Sequence, residues 1–231
     1  CKLSKNIGHK VLEFILSGSA YDEIIDGILA FLEEIQKEIK RDTVPLSDYE
    51  IYKQLKKRPE DYPDAKTQPH VSVAKAMVAA GKPVSVNDVI PYVICTLSRS
   101  EWEAKRASGA AAPETSTAND DENNNPFVAS KSSGSYAERA FHPEEIQADQ
   151  SKLLQVDKHW YLKMQLIPPT HRLCEPIDGL SSPQIAQALG LDPSQYSSSS
   201  FAHGNNEEED LLNIIDISDA ERFKACEKLL V

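Results

Sequence analysis

Leu3, Ile7, Val11, Phe14 and Ile15 recur every three or four residues, the period of a helix with one apolar face. The pattern predicts a helix over 2–17, broken at Gly18. Ile24, Ile25, Ile28, Leu29, Leu32, Ile35 and Ile39 predict a second helix over 21–40. Lys37, Lys40 and Arg41 stand at its end, where the helix dipole favours cations. The two are expected to form an antiparallel pair with their apolar stripes in the core.

Further along, Ser47 or Asp48 can cap a short helix running to about Leu55. Pro59, Pro63 and Pro69 prevent regular structure over 57–69. A helix resumes from His70 to Ala80, with Val71, Ala74, Met77 and Val78 on one side and Gly81 ending it. Residues 83–95, PVSVNDVIPYVIC, alternate about an Asn-Asp turn and predict a small antiparallel β element, with Pro91 arguing for an edge position. Residues 99–135 are rich in Ala, Ser, Thr, Asn and Asp and poor in large apolar groups, which predicts a disordered insertion. His142-Pro143 opens a short helix. Asp157 caps DKHWYLKMQL, turning Trp160, Tyr161, Met164 and Leu166 inward. Pro168 and Pro169 are expected to end that helix and Thr170 to cap the next. Ser181-Ser182-Pro183 starts a helix over Ile185, Ala186 and Leu189, with Gly190 beyond it. The acidic stretch 196–217 reads as a solvated linker, and a last helix follows Asp219.

Composition narrows the class. At 40% hydrophobic and 26% charged residues, the 231-residue chain suits a soluble globular core. No apolar run approaches the roughly 18–20 residues that span a bilayer, so no membrane helix is expected. Cys1, Cys95, Cys174 and Cys226 are far apart and form no CxxC pair; reduced thiols of an intracellular protein are expected. The sequence opens on Cys1 and stops within the amphipathic ERFKACEKLLV, so both ends are expected to continue into a longer chain.

The formal net charge is −11, yet residues 49–77 hold Lys53, Lys56, Lys57, Arg58, Lys66 and Lys75. On a helix, Lys53 and Lys57 would share a face. Lys66, His70 and Lys75 follow around a proline-stiffened loop, and the amides at the start of the His70 helix add a further anion donor. Such a group can neutralise several phosphates. Its bland counterpart is a solvated helix end, balanced by Glu60, Asp61 and Asp64. No GxSxG elbow, phosphate-cradling glycine loop, HExxH or pair of metal-binding carboxylates occurs, so the residues do not describe a self-contained enzyme.

The order EIYKQL, EDYP, PHVSVA, DVIPYVIC, DKHWYLKMQL and EPIDG resembles the thumb of family B DNA polymerases, from about Ile51 to Pro193 with the 99–135 insertion interrupting it. RLCEPIDG, LGLDPSQY and DISDAERFKACEKL are most similar to the alpha-type replicative branch. Asn87-Asp88 stands where that family commonly has Gly-Asp, and Trp160 where Tyr is frequent. Residues 1–46 match by helical pattern and position alone.

The resemblance implies a mainly α, thumb-like domain. A helical base (1–46), a gripping part (47–98) and a helical part (136–195) are followed by the acidic linker and a helix over 218–231. It implies a nuclear parent, a DNA-directed DNA polymerase that extends RNA primers with primase and B subunits as partners. A palm using Mg²⁺ would precede Cys1, and a Cys-rich metal module would follow the last helix. No catalytic residue, cofactor or metal site is therefore expected in this segment. Its ligand is expected to be the primer–template duplex, DNA or RNA–DNA hybrid. Lys53, Lys56, Lys57, Lys66 and Lys75 would meet phosphates, with Tyr62 and His70 near sugar and phosphate. Two rivals remain: the thumb of another branch, such as the delta type, and a helical adaptor binding a protein through a Leu29/Leu32 face.

Overall fold

The computed structural model describes residues 1–63, 67–108 and 135–196. The expectations placed on Lys66, on 109–134 and on the stretch from 197 onward lie outside these residues.

The two amphipathic stripes fold as expected into α1 (Lys2–Ile15) and α2 (Tyr21–Lys40). Leu3, Ile7 and Val11 of α1 and Ile28, Leu32 and Ile39 of α2 are buried. Gly18 reverses the chain at φ +73°. Gly27 permits the closest approach between the helices, because a Cβ there would stand 3.0 Å from the Phe14 ring. Leu32 is fully buried and Leu29 packs against the same core, so the Leu29/Leu32 face required by an adaptor is not available.

The next segment departs from expectation. The helix begun at Leu46 ends after one turn as α3 (Leu46–Tyr49), and Ile51–Gln54 is strand β1. Neither Ser47 nor Asp48 caps it, since the turn starts after Pro45 and holds both inside; Ile51 and Tyr52 then favour an extended chain when a partner strand is at hand. That partner is β2 (Val89–Ile94), paired antiparallel with Ile51 opposite Tyr92 and Gln54 opposite Val89. β3 (Ala140–Phe141) completes a sheet of order β1-β2-β3. β2 is therefore central, not an edge. Pro91 is tolerated because β3 pairs with Val93 and Ile94 alone, leaving the strand open on that side two residues earlier. Asn87 takes φ +75°, a conformation natural to glycine and accessible to Asn.

α4 (Pro69–Ala79) lies against the inner face of the sheet, burying Val71, Val73 and Ala74. Ordered chain then continues where disorder is expected: Arg99–Ala107 is helix α5. The Ser98 side chain and Glu101 form a reciprocal cap, and Trp102 stands edge-on to Phe141 with centroids 5.8 Å apart. Arg99 grips Glu145 with two bonds of 3.0 Å. α6 (Pro143–Ala148) starts at His142 as expected.

Asp157 does cap α7 (Lys158–Tyr161), accepting from the Trp160 N–H at 2.9 Å. Pro168 and Pro169 do not stop the helix, however, and Thr170 is inside it rather than at a cap. The chain passes through a wide π turn, Leu162–Leu166, directly into α8 (Ile167–Cys174). Proline removes donors for carbonyls one turn back, and a locally widened turn is one way a helix absorbs that loss. α9 (Ser182–Ala188) follows, with Gly190 at φ +75° beyond it. α1 packs on α8 and α2 on α9, so the helical base and the later helices share one core. The architecture is mainly α with one small antiparallel sheet. No helix among the described residues is long and apolar enough to cross a membrane.

Candidate nucleic-acid interface

The strand assignment changes how the basic residues are displayed. Along a strand, neighbours point to opposite faces. Tyr52 and Gln54 are exposed on the outer face of β1, while Ile51 and Lys53 are half-buried on the inner one. Lys53 and Lys57 therefore do not share a helical face. Lys56, Lys57 and Arg58 lie in the exposed turn after β1. The Lys56 amine reaches back to Gln54 Oε1 at 3.5 Å, on the outer side.

Tyr62 organises this turn from behind. Its hydroxyl oxygen accepts the Lys56 and Lys57 backbone N–H groups at 2.7 and 3.2 Å. Pro59, buried, begins the short 3-10 turn Pro59–Asp61 that delivers Tyr62 to this position. The Tyr62 ring stands edge-on to His70, with centroids 6.0 Å apart. His70, only 2% exposed, occupies the first turn of α4, and its Nδ1 has no hydrogen-bond partner. Lys75 is exposed, five residues further along α4 and roughly 140° around the helix from His70. The structure thus brings Lys53, Tyr62 and His70 together and ties Lys56 and Lys57 to them through the backbone. Lys75 stands apart.

Burial lowers the Lys53 amine below its ordinary range. Burial first, then the Lys53 charge, push the His70 imidazole from 6.5 down to about 4. The ring is neutral at physiological pH. The unfolded chain takes up this proton near pH 6.5 and the folded chain near 4, so stability falls as pH drops through that interval. The loss is expected to be roughly 2 kcal/mol after partial solvent screening. Urea midpoints between pH 7 and 4 check it: His70→Gln should remove this part of the slope.

One feature of this end went unnoticed in the sequence. Arg58, Pro59, Glu60, Val78, Lys82, Val84 and Val86 line an open groove of about 590 Å³. Lys82 reaches it because Gly81, at φ +78°, turns the chain there, and its amine pairs with Glu144. The Gly-Lys-Pro sequence was the available signal. Among the described residues no group of His, Cys, Asp or Glu is placed to hold a metal ion.

The sequence profile of DNA polymerase family B matches residues 1–177, including the helical base that resembled the family by pattern alone. The chain belongs to DNA polymerase family B. Its relatives include the DNA polymerase alpha catalytic subunit of rice, 37% identical over 98% of this chain. Those of Xenopus laevis and Saccharomyces cerevisiae are 34% and 31% identical over 99% and 97% of it. The chain spans about 13% of the length of the curated relatives it matches. A solved family B polymerase from the archaeon Pyrobaculum calidifontis superposes on 78% of the chain and 18% of its own, with a TM-score of 0.54 at 24% identity, a likeness of fold.

Proposed function

We propose that this family B segment is the thumb of an alpha-type replicative DNA polymerase. Its β1–α4 end would hold the backbone of the primer–template duplex, DNA or RNA-primed hybrid, while a palm elsewhere in the parent chain adds nucleotides with Mg²⁺. The observation that carries this reading is the similarity, across nearly the whole chain, to proteins named DNA polymerase alpha catalytic subunit. The parent would act in the nucleus with primase and B subunits. The local chemistry suits the role: exposed amines of Lys56, Lys57 and Lys75 supply phosphate attraction, and the Tyr62 brace keeps the lysine turn in one shape before binding. Lys66 is assigned the same phosphate role from its place in the sequence.

The test is salt-dependent binding of the full-length polymerase to primer–template. Lys57→Ala should lower the slope of log affinity against log salt by about one unit. Affinity should fall alike for unrelated base sequences, since phosphates carry no sequence information. A triple Lys56, Lys57, Lys75 alanine variant that binds duplex with the parent's slope would defeat the proposal.

A further inference from the structure

Residues 16–23, the turn from α1 into α2, are exposed without interruption. Ser19 lies in this turn, outside both helices, with Asp22 and Glu23 three and four residues on. Its N–H is donated to Ser17 Oγ at 3.2 Å. Its hydroxyl and both of those carboxylates have no hydrogen-bond or ion-pair partner among the described residues. Other serines with a carboxylate three residues on are engaged. Ser98 is buried and donates to Glu101, and Ser100 is inside α5. Ser47 is inside α3. At Ser85 and Ser135 the carboxylate is already taken up by the serine's own N–H.

An acid-directed kinase holds its substrate as an open chain and meets such carboxylates with cations. The backbone here can be drawn out to fit. Ala20, the N-cap of α2, is already extended at φ −61° and ψ 150° and supplies no side-chain bond to the helix. Alanine is a poor residue in that place, so the first turn, which carries Asp22 and Glu23, opens more readily than a capped one. We propose that Ser19 is a phosphorylation site for a serine kinase that reads carboxylates three and four residues beyond the acceptor. In the transfer, Ser19 Oγ attacks the γ-phosphorus of a Mg²⁺-bound nucleoside triphosphate. The new P–O bond forms as the bond to the β–γ bridging oxygen breaks; the hydroxyl proton passes to a base of the kinase, and nucleoside diphosphate leaves. The modified side chain carries roughly 1.5 to 2 negative charges near neutral pH. Leu16, 80% exposed, and Tyr21, 47% exposed, flank it in sequence, so the modification turns an apolar corner into an anionic one.

The experiment incubates the full-length polymerase with an acid-directed serine kinase and Mg²⁺-ATP labelled on its γ-phosphate, then maps the tryptic peptide spanning residues 11–37. Label should fall on Ser19 and not on Ser17. Ser19→Ala should leave the peptide unlabelled. Replacing both carboxylates, Asp22→Asn with Glu23→Gln, should slow labelling of Ser19 about tenfold, the loss of two ion pairs across a contact. The rates are compared on variants whose melting matches the parent's. A kinase directed by basic residues should leave Ser19 unmodified. A wild-type peptide that takes up no label overturns the proposal. So does label placed on Ser17, and so does a Ser19 rate that the loss of both carboxylates leaves unchanged.

Discussion

Arg139→Met is expected to destabilise the chain by about 3–5 kcal/mol. The guanidinium pairs with Asp157, and the two side chains are 12% and 6% exposed. Asp157 cannot move to water, because its other oxygen caps α7 through the Trp160 N–H. Methionine fills much of the volume of arginine but leaves the carboxylate buried without its countercharge. Most of the loss should return in the double variant Arg139→Met, Asp157→Asn. Asparagine keeps an oxygen for the cap and brings no charge. Urea unfolding of the two variants beside the parent measures the difference; a single substitution costing under about 1 kcal/mol would show that the pair does little beyond filling space.

Tyr161→Phe should cost about 3 kcal/mol although it deletes one atom. The buried hydroxyl donates to the Tyr49 carbonyl at 2.7 Å and accepts the Ile94 N–H at 3.2 Å. It joins the end of α3, the central strand and α7 at one point. Phenylalanine preserves the edge-on contacts with Tyr49 and Trp160, both at 5.0 Å between centroids. The loss would therefore report two stranded backbone groups rather than poorer packing. Denaturant midpoints test this directly. A Phe variant as stable as the parent would mean that those backbone groups find other partners.

Much of the helical frame was readable from periodicity. The stripes of α1 and α2 bury the residues their spacing selects, and Ser181-Ser182-Pro183 and His142-Pro143 start helices as such sequences should. The misreadings came where a local signal had two outcomes. Ser47 and Asp48 signal a helix whose start falls instead at Pro45, and nothing in Ile51–Gln54 says that it stops after one turn; that is decided by Val89–Ile94, far along the chain. α5 was missed for the opposite reason. Low complexity beyond Arg106 obscured the Ser98–Glu101 cap and the apolar Trp102 ahead of it. At the candidate interface, the residue types were legible and their display was not. Lys53 turns inward because Ile51–Gln54 is a strand, while Lys56 lies in the exposed turn beyond it, which Tyr62 braces from behind. The proximity of Lys53 to His70 depends on β1 lying against α4, which no sequence spacing encodes.

The π turn sets the phase of everything beyond it. Leu162, Leu166, Thr170 and Cys174 are all buried, each four residues from the last. On a regular helix such a row would wander around the cylinder by about 40° at every step. The loosened coil offsets part of that drift at the first step, and all four residues stay in the core. Shortening this stretch of backbone by one residue would tighten it to an ordinary coil, and because the wide turn spends one residue more than a regular helix on the same rotation, the far half would keep its face. Thr170 and Cys174 would stay turned inward, so the docking of α8 on α1 can outlast the loss of a residue here, though not the loss of one from the regular coil beyond.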